Sequence, residues 1–251
     1  MTNQVLINNN APCLGAGSAE PSPPEEGVVR IYSMRFCPWA QRALFYVARH
    51  GVRSEVINID LKNKPEWYFK IHPKGQVPAL QYNGQIVLES ALIPEFLDDT
   101  FPDTRVLPTD PYQKYQQKLI YDRLSSIGDV LFGLVGAAKN PELKAEKYEA
   151  VEKFFELAEN QFTDAFLGGA TPGYTDYLFF PIFERFRGVS LLGFAPFSPE
   201  SFPSAKYPKL QAWYKAVQKL PEIKAGNQNF ETTVQFMQLF FAGTPNYNLG
   251  L

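Results

Sequence analysis

The sequence predicts an α/β domain followed by an all-α domain, and three observations carry that reading. A strand–helix–strand pattern runs from Val28 to Ile59, Asn83-Gly84 joins two short β-prone runs, and beyond about residue 105 the apolar residues recur at helical spacing almost throughout. Residues 1–27 precede this pattern and are polar, small and Pro-rich (Pro21, Pro23, Pro24). They read as an extension without its own core, in part mobile.

From Val28 the elements follow in order. Val28–Tyr32 reads as a strand, Pro38 to His50 as a helix closed by Gly51, and Glu55–Ile59 as a second strand. Within the helix, Trp39/Ala40, Ala43/Leu44 and Val47/Ala48 form a stripe to be buried against a sheet, and Gln41, Arg42 and Arg49 fall elsewhere. Val77–Tyr82, Asn83-Gly84 and Gln85–Leu88 form the strongest short-range hairpin signal in the chain. Ser90–Thr100 reads as a helix with a serine cap, which ends a mixed-sheet domain spanning 28–105. Residues 106–111 are a Pro-rich linker, and 112–251 form the helical domain. Tyr115, Leu119, Leu124, Ile127, Leu131 and Leu134 mark one long helical segment. Tyr148, Val151, Phe155, Ala158, Phe162 and Ala165 mark another. Gly188–Lys206 shows no clear period and is assigned to no element.

Composition excludes several functions. With 24 Lys and Arg against 26 Asp and Glu, no basic excess exists to neutralise a nucleic-acid backbone. No run approaches the roughly 20 apolar residues of a membrane span, and the N-terminus lacks the order of a secretory signal, so the expected compartment is the cytosol. Two cysteines and two histidines are too few for a disulfide framework or a metal cluster, so no metal is expected. A cytosolic cysteine instead raises the question of reactivity.

Cys37 stands between a strand and a helix in Arg35-Phe36-Cys37-Pro38-Trp39-Ala40. Pro38 suits the first helical position, which puts Cys37 at the cap, where unsatisfied amides and the helix dipole favour a thiolate. Arg35 is expected to add to this effect. The competing reading is a cysteine packed as a small apolar residue. Position 40 is alanine where a dithiol oxidoreductase would carry its second cysteine, so Cys37 needs an external thiol to resolve a mixed disulfide. Glutathione is the abundant candidate. Cys13, in the extension, reads as a surface or incidental cysteine.

Three further features suit a glutathione site. Pro78 opens a strand, which suggests a cis Val77–Pro78 bond that leaves the Val77 backbone to an extended peptide ligand; a trans proline at a strand start is the alternative. Glu89 and Ser90 offer a carboxylate, a hydroxyl and nearby amides to an α-amino acid end, although Ser90 alone reads as a cap. Lys64 suits a ligand carboxylate, or is a solvated charge.

Together with Leu61-Lys62-Asn63-Lys64-Pro65-Glu66-Trp67 and Phe183-Glu184-Arg185, these segments resemble the omega class of the cytosolic glutathione transferases, nematode members in particular. The resemblance runs from about Val28 to Leu251. It implies a thioredoxin-like N-terminal domain, an all-helical C-terminal domain, a homodimer, glutathione as co-substrate and no stable membrane association. It further implies that Cys37 forms the mixed disulfide, and that Phe36, Leu61, Lys64, Val77, Pro78, Glu89 and Ser90 hold glutathione. Lys64 would take the glycyl carboxylate, and Glu89 and Ser90 the γ-glutamyl end. Trp39 and Arg185 would line an acceptor pocket, with Trp39 narrowing it where the family often has Phe. The implied reactions are thioltransfer and reduction of dehydroascorbate and methylated arsenic(V), with weak conjugation. Gly173 departs from the family's Ser/Thr capping box at Gly173-Tyr174-Thr175-Asp176, and the aromatic residues from Phe230 to Phe241 would roof the acceptor side. Two other readings stay open. One is a conjugating transferase in which Tyr32 or Ser33 holds the glutathione thiolate, and the other is a relative of the chloride intracellular channels that associates with membranes.

Overall fold

A computed structural model describes residues 7–137, 140–195 and 197–251. The chain forms two compact units. The first gathers the residues up to Arg105 with Pro221–Thr232 and Asn246–Leu251, and the second comprises Val106–Leu220 and Thr233–Pro245. The helical period seen beyond residue 105 therefore does not keep all of 112–251 in one body.

The first unit is built on a four-stranded sheet of β1 (Val29–Ser33), β2 (Ser54–Asn58), β3 (Ala79–Tyr82) and β4 (Gln85–Leu88), in the order β2-β1-β3-β4. β1 pairs in parallel with β2 and antiparallel with β3, so Ile31 faces Val56 on one side and Leu80 on the other. Every residue of this central strand is buried, as expected where both faces are covered. The parallel pair requires a crossover, which α1 (Pro38–His50) supplies. Gly51 ends α1 at φ 65°, a left-handed conformation glycine adopts without strain, and its N–H reaches the carbonyls of Val47 and Ala48. Asn83 and Gly84 both take positive φ, 46° and 78°, as the tight hairpin turn demands.

Three expectations are corrected here. Gln41 and Arg42 are buried, at 1% and 3% exposure, because α1 packs against α3 (Ile93–Thr100) and α9 (Pro221–Gly226) as well as the sheet. A Cβ on Gly226 would lie 2.7 Å from Phe45 Cδ1, so the α9 backbone rests directly on α1. Ser90 does not cap α3: residues 90–92 form a turn, and the helix starts at Ile93 with Pro94 in its first turn, where a missing N–H is harmless. The described part of the extension, residues 7–27, is tied down. Leu14 bridges Ile59 beside the edge strand β2, the Trp67 indole donates to the Ser18 carbonyl at 3.0 Å, and Arg30 donates to the Ser22 carbonyl at 2.6 Å. Such a strap covers backbone groups that an edge strand would otherwise leave unpaired.

In the second unit, the long segment at Tyr115–Leu134 is two helices, α4 (Pro111–Leu124) and α5 (Ile127–Ala137). They part at Ser125, whose hydroxyl donates back to the Asp122 carbonyl at 2.7 Å and competes with helical pairing. α6 (Pro141–Glu159) stops short of Phe162 and Ala165. α7 (Tyr174–Leu191) is buried along most of its length and carries the aromatic core. The Phe183 ring centroid lies 5.3 Å from Phe155, 5.0 Å from Phe202 and 5.3 Å from Trp213 of α8 (Pro208–Val217). The unassigned stretch begins as the end of α7, and Phe197 and Phe202 then pack onto Phe155. Gly173 leaves the start of α7 well satisfied, because its N–H donates to Asp176 Oδ2 at 2.7 Å. The fully buried Asp176 also accepts from the N–H groups of Leu167 and Gly168 and from the Trp213 indole, at 2.9, 2.8 and 2.6 Å. In α10 (Phe230–Phe241), Phe236 and Met237 are buried and Phe240 is exposed.

Candidate active site

β1 ends at Ser33 and a short turn delivers Cys37 to the start of α1. The Cys37 N–H donates to the Met34 carbonyl at 2.8 Å, and the Cys37 carbonyl accepts the first helical bond from Gln41 at 3.1 Å. Its backbone is extended (φ −72°, ψ 117°), its side chain makes no capping hydrogen bond, and Pro38 follows at the first helical position. No acidic residue occupies the first turn, so nothing there opposes the positive end of the helix at the 7%-exposed thiol.

Cys13 differs in kind. It is partly buried rather than superficial, with Sγ 3.6 Å from the Tyr247 carbonyl, and burial pushes its thiol up to about 12 against the opposing pull of Arg35. Such a thiol is almost wholly protonated at neutral pH and makes a poor nucleophile. The Arg35 guanidinium is engaged with the chain ends, donating to the Leu249 carbonyl at 2.7 Å and to Asn10 Oδ1 at 3.5 Å, with Phe36 stacked beneath it at 5.1 Å.

Val77–Pro78 is cis, and the Val77 backbone makes no hydrogen bond among the described residues. Val77 and Leu61 pack on the same buried cluster of Tyr32, Ile59, Trp67, Tyr68 and Ala79. Lys64 is half-buried and makes no ion pair or hydrogen bond among the described residues; its stem crosses Gly75, where a Cβ would come within 2.9 Å of Lys64 Cδ. Glu89 is exposed at φ 70°, and Ser90 Oγ accepts from Arg42 Nη1 at 2.9 Å. Phe36 is buried and Trp39 half-buried beside Cys37. Arg185 belongs to the second unit, buried in α7 with its guanidinium 3.3 Å from Glu184.

Arg42 was missed by periodicity, which assigned it to the face away from the stripe. No sequence signal marked it: Gln41, Arg49 and His50 are polar on the same helix, and only the fold brings Arg42 to Ser90. The hydroxyls of Tyr32 and Ser33 are withdrawn. Tyr32 is 2% exposed and donates to Gln81 Oε1 at 2.8 Å, and Ser33 is fully buried. Burial raises the Tyr32 phenol above its ordinary value, so it offers no anion and little access.

Comparison with known proteins identifies the family. Residues 36–100 match the family "Glutathione S-transferase, N-terminal domain" and residues 141–216 the family "Glutathione S-transferase, C-terminal domain". Among solved structures, a tau-class glutathione S-transferase from mango shares the fold at TM-score 0.76 and 23% identity, over 84% of this chain and 97% of that one. The fold and domain pair thus define a glutathione transferase. "Probable glutathione transferase omega-2" of Caenorhabditis briggsae is 51% identical over 98% of this chain and 99% of its own length. "Glutathione transferase omega-1" of Caenorhabditis elegans is 41% identical over 98% and 100%, and "Glutathione S-transferase omega-1" of Mus musculus 38% identical over 92% and 94%. The chain belongs to the omega class of the glutathione transferases. Among the described residues no helix is long and apolar enough to cross a membrane, and no group of three or more His, Cys, Asp or Glu is placed to hold a metal.

Proposed function

We propose that the protein is a glutathione-dependent thioltransferase and reductase that works through a mixed disulfide at Cys37. The observation that carries the proposal is a lone cysteine at the N-terminus of α1, followed by Pro38 and Ala40, with the other thiol pushed up to about 12. On a glutathionylated substrate, the Cys37 thiolate attacks the glutathionyl sulfur and the substrate thiolate leaves, taking a proton from water. A second glutathione thiolate attacks the same glutathionyl sulfur, releases oxidised glutathione and restores the Cys37 thiolate. For dehydroascorbate or a methylated arsenic(V) acid, two glutathiones supply the two electrons and end as one disulfide. Lys64 serves the glycyl carboxylate, the Val77 backbone pairs with the peptide, and Glu89 and Ser90, the latter steadied by Arg42, take the γ-glutamyl end. Leu61, Phe36 and Pro78 complete the glutathione side, and Trp39 and Arg185 contribute to the acceptor side. A cytosolic homodimer completes the reading; Tyr112 and Tyr115, paired at 6.0 Å and well exposed on α4, are apolar surface of the kind a second copy would cover.

Intact-protein mass after exposure to oxidised glutathione tests the proposal. One glutathione adduct is expected, absent in Cys37→Ala, together with loss of mixed-disulfide reduction; activity retained in that variant would refute it. The conjugating alternative, with Tyr32 or Ser33 on the thiolate, is disfavoured by the burial of both hydroxyls. Binding to liposomes without glutathione turnover would instead favour a channel-like relative.

A further inference from the structure

Within the first unit lies a polar pocket of about 370 Å³ that shares no residue with the proposed glutathione site. Four stretches distant in sequence bound it: the N-terminal extension, the turn before α1 that holds Arg35, the segment from the end of α9 into α10, and the C-terminal turn. Asn9, Asn10, Arg35, Asn227, Gln228 and Thr232 supply its polar wall. Gln228 Nε2 donates to the Asn9 carbonyl at 3.3 Å and closes one side.

Two buried groups in this wall lack what their chemistry requires. Arg35 is 3% exposed, yet no Asp or Glu lines the pocket or forms an ion pair with it among the described residues, and its Nε–H has no partner. Its guanidinium has five N–H groups, and only two are used, both on neutral oxygens at Leu249 and Asn10. Asn9 is 4% exposed, and both its side-chain nitrogen and oxygen are unpartnered. A buried cation with no acidic side chain paired to it and a buried amide without hydrogen bonds are each destabilising, and native proteins leave few of either.

We propose that this pocket is a second ligand site, for a small molecule bearing an oxyanion. Arg35 Nε–H and a neighbouring Nη–H present the planar fork that suits a carboxylate or phosphate oxygen pair. Asn9 donates to a further oxygen through Nδ2 and accepts from a ligand hydroxyl or amide through Oδ1. The volume is near the small end for ligand pockets, with room for roughly a dozen water-sized groups. Arg35 lies two residues before Cys37, so an occupant also steadies the turn that presents the nucleophile.

Calorimetric titration of the full chain at constant ionic strength, with S-methylglutathione saturating the glutathione site, tests the proposal. Inorganic phosphate, succinate and neutral succinamide are the probes. Expected is one-to-one binding of phosphate or succinate and none of succinamide; the tighter anion identifies the group. Asn9→Leu should weaken that binding about tenfold or more, the loss of a hydrogen bond to a charged ligand, with the unfolding midpoint retained. Arg35→Gln should abolish it, and if that variant does not fold, Asn9→Leu carries the test. No binding of either anion, equal binding of succinamide, binding seen only without S-methylglutathione, or undiminished binding in Asn9→Leu each overturns the assignment.

Discussion

Gly75 offers a way to perturb glutathione binding without touching a proposed ligand contact. The residue sits at φ 60°, and a Cβ there would lie 2.8 Å from Phe69 Cε1 and 2.9 Å from Lys64 Cδ. Gly75→Ala therefore has two effects. Holding alanine in the left-handed region costs about 1–2 kcal/mol, offset in part by the smaller entropy of the unfolded chain. The net loss of about 1 kcal/mol lowers Tm by about 2–4 °C for a chain of this size. The 47%-exposed Phe69 ring can swing into solvent, but the half-buried Lys64 stem must leave its groove and take the ammonium with it. If that ammonium contributes about 1 kcal/mol to the glycyl carboxylate, glutathione KM rises about fivefold and kcat holds. Thermal unfolding, glutathione KM and the Kd of S-methylglutathione measure these changes in Gly75→Ala, in Lys64→Met and in the double variant. An unchanged KM in Gly75→Ala, or a fivefold rise repeated in the Lys64→Met background, refutes the link between Gly75 and Lys64.

Other predictions are more direct. Tyr32→Phe should cost about 1 kcal/mol in urea unfolding through the lost bond to Gln81 and leave glutathione turnover within about twofold; loss of turnover would restore the conjugating alternative. Phe183→Ala should cost about 3–5 kcal/mol, since the ring is fully buried among Phe155, Phe202 and Trp213; a loss under 1 kcal/mol would mean that the core closes around the gap. Burial pushes the Asp176 carboxyl from 3.8 up to about 6 despite its four donors, so the folded chain holds that proton more tightly than the unfolded one. Its contribution to stability is thus greatest below about pH 4 and falls as pH rises through 6. The stability of wild type relative to Asp176→Asn should drop by about 2 kcal/mol between pH 4 and 7, and a constant difference in urea unfolding would contradict this.

What was legible in the sequence was local. The turn at Asn83-Gly84, the Pro38 start and Gly51 stop of α1, and Cys37 at its cap each depend on residues close in the chain, and each appears in the structure. What was not legible depends on distant partners. Gln41 and Arg42 looked solvent-facing because α9, more than 170 residues later, covers the helix and Asn227 accepts from Gln41 at 2.7 Å. Ser90 had the spacing of a cap, but Arg42 occupies its hydroxyl. The extension lacked a hydrophobic period because main-chain bonds to Asn58, Asp60 and Asn63 hold it, and main-chain bonding leaves little trace in side-chain pattern.

The same extension bears on how the protein is made. Asn248 Oδ1 accepts from the Cys13 N–H at 2.8 Å, and the Leu249 carbonyl accepts from Arg35, so the unit that carries Cys37 needs the last residues of the chain to close its hydrogen bonds. A ribosome emits the second unit before those residues. The unit that carries Cys37 therefore closes its last hydrogen bonds after the second unit has emerged, although its four strands and the strap over β2 are made first. During that interval the Cys13 N–H and the Arg35 guanidinium wait for Asn248 and Leu249, so the start of the extension and the turn before Cys37 are the parts of the unit that set last.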